Sequence, residues 1–97
     1  MIVEHALLEV RPGQSEAFEL AMADARPLIA ASPGFLEMQV RRSAERAGRY
    51  LLQVEWTDIA AHRDGFRKSD RYETWRTLLH HFYEPMPTVE YFEGSIL

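Results

Sequence analysis

The stretch FLEMQVRRSAERAGRYLLQVEW, residues 35–56, reads as two consecutive strands joined by a polar loop. In its first part Leu36, Met38 and Val40 face one way while Glu37, Gln39 and Arg41 face the other, the period-two pattern of a half-buried strand. After loop residues 43–48 the alternation resumes, with Leu52, Val54 and Trp56 opposed by Leu51, Gln53 and Glu55. The two runs form an antiparallel hairpin. Its second face carries Glu, Gln and Arg, so it meets water or another subunit through polar contacts.

Working toward the N-terminus, Ser32-Pro33-Gly34 stops a helix that begins near Ser15. Phe18, Ala21, Met22, Ala25, Leu28 and Ile29 recur at three- and four-residue spacing and make one apolar stripe. Pro27 lies inside that pattern and predicts a kink or a separate short last turn. Residues 2–10 form a strand ending at Pro12-Gly13, with Val3, His5 and Leu7 on one face and Ile2, Glu4, Ala6, Leu8 and Val10 on the other. Apolar residues on both faces suggest that both are covered.

Working toward the C-terminus, the chain reads WTDIAAHRDGFRKSDRYETWRTLLHHFY over residues 56–83, a stretch holding both tryptophans and three of the four histidines. Asp58 is an N-cap for a short helix over 59–65, and Ser69 caps a second helix from 70 to about 82. Ile59, His62 and Phe66 share the inward side of the first; Tyr72, Trp75, Leu79 and Phe82 share that of the second, flanked by Arg76 and His80. Pro85-Met86-Pro87 ends the helix, and residues 88–92 form a last strand. The order β-α-β-β-α-β is the ferredoxin-like arrangement, an α+β fold with a four-stranded antiparallel sheet and helices on one face. The uncovered face then predicts sheet-to-sheet homodimerisation.

At 97 residues the chain is a single domain, 1–97, and its 46% apolar and 27% charged composition is that of a globular protein. A net charge of -4 opposes nucleic-acid binding. Arg41, Arg42, Arg46 and Arg49 read as a solvated turn rather than a basic patch. Cysteine is absent, which removes disulfides and thiolate chemistry and fits a cytoplasmic setting. The N-terminus has neither a signal-peptide pattern nor a membrane span, so no membrane partner is expected.

No phosphate-binding loop, dinucleotide motif, zinc-protease motif or nucleophile elbow occurs. Adjacent His80 and His81 diverge by about 100° on a helix and cannot grip one ion, so no metal is expected. His62 has two readings: a base or hydrogen-bonding group in a pocket, or a core histidine satisfied locally. His5 poses the same choice on a strand. Trp56, Tyr72, Trp75, Phe82 and Tyr83 are either core or pocket wall.

The run WTDIAAHRDGFRKSDRYETWRTLLHHFYEPMPTVEY, with VRPGQSEAF, SPGF and RYLLQVEW before it, resembles an uncharacterised branch of the antibiotic biosynthesis monooxygenase superfamily. The resemblance implies ferredoxin-like subunits paired as a dimeric α+β barrel. It also implies several chemistries, among them cofactor-independent oxygenation, in which a deprotonated substrate itself reduces O₂. On that model His62, Tyr72 and Arg76 are the expected catalytic residues, and His5, Trp56, Phe66, Trp75 and Leu79 the substrate-binding ones, with no cofactor. Haem degradation is not implied, because Arg76 stands at the axial-histidine position, Phe66 at the pocket tryptophan and Ala6 near the first-strand asparagine. The branch signature often ends V-E-H-Y where this chain has Val89-Glu90-Tyr91-Phe92, so a role for that histidine is lost or passes to Tyr91. The expected function is a monooxygenase acting on a small aromatic or quinol-like substrate; the alternative is a non-catalytic dimeric domain that binds a small ligand or a partner.

Overall fold

In the computed structural model, which describes residues 1–97, the hairpin forms from β2 (Phe35–Arg42) and β3 (Arg49–Trp56). β1 (Ile2–Glu9) pairs antiparallel with β3 on one side and with β4 (Glu90–Glu93) on the other. The sheet order is β2-β3-β1-β4, and α1 (Ser15–Ala30) and α2 (Asp70–Leu79) pack on one face of it. This is the ferredoxin-like α+β fold.

The register decides which side chains enter the core. Ala6, Leu8, Leu52, Val54 and Trp56 point at the helices and are buried with Phe18, Met22, Ala25 and Ile29 of α1 and Trp75 and Leu79 of α2. Full burial of each large apolar side chain is worth about 1.5–3 kcal/mol, so this shared core holds both layers together. The opposite sheet face stays open, with Leu7 and Phe92 each close to half exposed.

Three expectations need correction. Leu36 is half exposed rather than aligned with Met38 and Val40, because an irregularity between Phe35 and Glu37 inserts it as an extra residue opposite Trp56 and Glu55. Pro27 starts no separate helix: α1 runs on to Ala30, since proline removes one backbone bond while Ala31 N–H still reaches the Pro27 carbonyl at 3.1 Å. The last strand begins at Glu90 rather than residue 88.

Between β3 and α2 the chain makes a π-helical turn, Ala61–Phe66, entered through Asp58, whose carboxylate accepts from Ala61 N–H at 2.8 Å. Gly34 lets that turn approach the sheet. Its φ is +88°, and a Cβ there would stand 2.6 Å from Ala61 Cβ, a position only glycine fills without strain. Ser69 caps α2 by accepting from Tyr72 N–H, and a 3₁₀ turn, His80–Phe82, follows it.

Candidate functional site

A cavity of about 80 Å³ lies between the sheet and the helices. Glu4, Ala6 and Leu8 of β1 and Leu52 of β3 form its floor; His62, Phe66, Arg67, Tyr72, Trp75 and His80 form its helical wall. Met86, Pro87 and Val89, from the segment leading into β4, close the remaining side. This volume is below the roughly 150 Å³ of an engineered cavity that accepts benzene.

The polar centre is built from three elements. Glu4 lies on the inward face of β1, Trp56 on the same face of β3, and His62 on the π-helical turn. Glu4 and His62 are each only 4% exposed. Trp56 Nε1 donates to Glu4 Oε1 at 2.9 Å, and His62 Nε2 stands 3.4 Å from that same oxygen. The other imidazole nitrogen, Nδ1, is 2.7 Å from the Tyr91 hydroxyl on β4. A neutral imidazole accepting from the tyrosine at Nδ1 carries its proton on Nε2, the nitrogen nearer the carboxyl. Glu4 Oε2 takes no part in the Trp56 bond, and Glu4 is one of the residues that line the cavity.

Burial sets the electrostatics. It pushes the Glu4 carboxyl up to about 7, against the opposing effects of the Trp56 hydrogen bond and the Arg67 charge. It pushes His62 down to about 4, and the Arg67 charge adds to that shift. His80 is lowered by burial and then by the Arg76 and Arg67 charges, while burial raises the Tyr83 and Tyr91 phenols. Near neutral pH the centre is an uncharged imidazole beside a carboxyl balanced between its two forms.

Of the expected site residues, His62, Phe66, Tyr72 and Trp75 meet at the cavity. Trp56 and Leu79 are fully buried in the core behind it, and Trp56 acts on the site through its bond to Glu4. His5 is misplaced by the expectation: strand alternation turns it to the open sheet face, edge-on to Phe92 at 5.5 Å. Arg76 also lies outside the cavity, with about half its side chain exposed beside Glu73, because the neighbouring Trp75 takes the inward position on α2.

The cation at the cavity is instead Arg67, whose guanidinium sits 5.8 Å from the Tyr72 ring centroid. Arg67 N–H bonds the His62 carbonyl at 3.0 Å, a five-residue step that stacks positions 62 and 67. Glu4 and Arg67 are the charged side chains at the cavity that the expected set lacked. A carboxylate within the apolar face of the first strand was the available signal for Glu4; a periodicity of 100° per residue gives none for Arg67.

None of the helices is long and apolar enough to cross a membrane, and no group of three or more His, Cys, Asp or Glu residues is placed to hold a metal ion. Comparison with known proteins gives consistent relatives. YczJ of Bacillus subtilis, itself uncharacterised, is 40% identical over 93 residues, covering 96% of this chain and 98% of that protein. A Bordetella bronchiseptica structure named for the antibiotic biosynthesis monooxygenases superposes with a TM-score of 0.93 at 33% identity, covering 98% of this chain and 97% of the other. SnoaB, a cofactor-independent oxygenase from Streptomyces nogalater, superposes with a TM-score of 0.84 at 20% identity over 99% and 94% of the two chains, a likeness of fold. The family model described as antibiotic biosynthesis monooxygenase matches residues 1–78, and the chain belongs to that family.

Proposed function

We propose that the chain is a cofactor-independent monooxygenase that acts on a small aromatic or quinol-like substrate held between the helices and the sheet. The observation that carries this reading is the composition of the cavity wall: Phe66, Trp75 and Tyr72 around a buried carboxyl and imidazole. Such a site binds a flat apolar ring and removes a proton from its hydroxyl in a dry setting. The resulting anion is electron-rich enough to reduce O₂ itself; one oxygen atom enters the substrate and the other leaves as water. Tyr72 serves to orient the ring oxygen, His62 lies behind the carboxyl, and Arg67 takes the place first assigned to Arg76 as the positive charge near it. The small volume favours one-ring substrates over fused ones, and a ring enters by outward movement of the 86–89 wall, whose Met86 is exposed.

The same reading includes a homodimer joined through the open sheet face, supported by the exposed Leu7 and Phe92 side chains. The lack of cysteine supports a cytoplasmic setting.

Oxygen-electrode measurements with a panel of one-ring hydroquinones test the activity. Uptake above the uncatalysed rate, lowered by Trp75→Ala and Tyr72→Phe, is the expected result. If no member of the panel is accelerated while some bind, the chain is a non-catalytic ligand-binding domain of this fold.

A further inference from the structure

We infer that Glu4 is the catalytic base of this site, taking the substrate's phenolic proton on Oε2, and that His62, held in place by Tyr91, is a positioning residue beside its other oxygen. The inference rests on the proposed phenol-binding reading and assigns its proton acceptor.

Geometry separates the two carboxyl oxygens. Oε1 accepts the Trp56 Nε1–H hydrogen bond at 2.9 Å, and His62 Nε2 stands 3.4 Å from it. Oε2 has neither partner, and Glu4 lines the cavity together with Tyr72, Trp75 and Phe66. A ring seated against those aromatics presents its hydroxyl to that oxygen. The O–H bond breaks, its electron pair stays on the phenolate oxygen, and the proton passes to Oε2. One negative charge moves from carboxylate to substrate, so the site's net charge is unchanged and no ion has to leave the cavity.

His62 is poorly placed to do the same work. Its Nδ1 is engaged by the Tyr91 hydroxyl, and its Nε2 lies 3.4 Å from Glu4 Oε1. With the Tyr91 hydroxyl donating to Nδ1, the neutral ring keeps a donor, not an acceptor, on Nε2. The charged and titratable groups around this centre are Arg67 and Arg63 from the π-helical segment, Asp64 beside them, Tyr72 and His80 on the α2 side, Tyr83 from the turn after it, and Tyr91 on β4. A carboxyl raised toward neutrality by burial matches the proton affinity that this transfer needs.

The test uses 4-nitrophenol, whose anion absorbs at longer wavelength than the phenol, with the full-length wild-type protein, Glu4→Gln and Tyr91→Phe. Calorimetry measures binding, absorbance reports ionisation of the bound probe, and ¹³C NMR of the wild-type Glu4 carboxyl follows the proton's arrival. The expected result is binding by the wild type with ionisation of the probe and a protonated Glu4 signal, binding by Glu4→Gln with loss of that ionisation, and a shifted pH midpoint in Tyr91→Phe. Equal ionisation by the wild type and Glu4→Gln, or a Glu4 carbon signal unmoved by the probe, overturns the assignment while leaving the phenol site intact. A Tyr91→Phe pH profile that overlies the wild type overturns the positioning role. Failure of the wild type to bind the probe removes the phenol-binding reading and the inference with it. The NMR measurement needs no variant, so it decides the matter even if Glu4→Gln does not fold.

Discussion

The Tyr91 hydroxyl lies 2.7 Å from Nδ1 of His62, joining the last strand to the π-helical turn across 29 residues of chain. β4 is a four-residue edge strand paired only with β1, so this bond is a second tie between it and the body of the fold. Tyr91→Phe is expected to lower stability by about 1 kcal/mol, the usual net worth of one such bond, with more lost if Nδ1 finds no water. Urea unfolding at neutral pH checks it, and an unchanged midpoint would mean that the bond carries no net stability.

Trp56→Phe keeps an aromatic ring in the core but removes the N–H that holds Glu4 Oε1. A loss of about 1–3 kcal/mol is expected for an acceptor left without its donor in the interior. That hydrogen bond also holds the Glu4 carboxyl down, so its removal raises the carboxyl further above 7. Carboxyl ¹³C titration reads the second effect independently of the first.

Glu4 and His62 make opposite contributions to the dependence of stability on pH. From about 4.5 to about 7 the folded Glu4 holds a proton that the unfolded chain has released, so its contribution falls as pH rises. From about 4 to about 6.5 the unfolded His62 holds a proton that the folded chain lacks, so its contribution rises with pH. Where these windows overlap, the two slopes offset one another in the wild type. Glu4→Gln removes one of them and is expected to lose stability on acidification from pH 6.5 to 4.5 more steeply than the wild type. Denaturant midpoints across that range are the measurement; parallel curves for the two proteins would refute the opposed titrations.

Gly34→Ala places a Cβ 2.6 Å from the Ala61 side chain and 2.7 Å from Thr57 Oγ1, at a φ of +88°. Strain and overpacking act together here, and a loss on the order of 1–3 kcal/mol is expected. Gly13, also at positive φ but with nothing within 4 Å, is the control, and its alanine variant should lose less. Thermal unfolding of the pair isolates the contact from the backbone effect.

Sedimentation velocity at micromolar concentration is expected to give a dimer for the wild type and a monomer for Phe92→Asp. Phe92 sits opposite Val3 on the open sheet face, so a charge there opposes the proposed sheet-to-sheet contact without touching the cavity. A monomeric wild type would end the sheet-to-sheet proposal.

The fold was legible in the sequence because its signals are local. Alternation marks the strands and the Asp58 and Ser69 caps mark the helix starts; both caps form as read. The exceptions are features that alternation cannot encode. The irregularity at Leu36 leaves an apolar residue in an apolar pattern while turning it outward. The cavity was less legible, because its members come from distant segments and their grouping is a property of strand pairing. Placing Tyr91 opposite Glu4 requires the β1–β4 register. Choosing Arg67 over Arg76 requires knowing that the turn after β3 is wound more loosely than an α-helix.

That looser winding has a consequence for how the chain tolerates changes in length. A π-helical turn amounts to an α-helical path with one residue added, and in this protein the added residue is what lets positions 62 and 67 share a wall. Deleting one residue between them would tighten the coil and rotate the side chains that follow by about 100° relative to those before. The anchors at Asp58 and Ser69 would still mark the two ends of the segment. Length in this turn therefore works as a selector of which side chain the wall offers, in a part of the chain where the sheet's pairing sets no constraint.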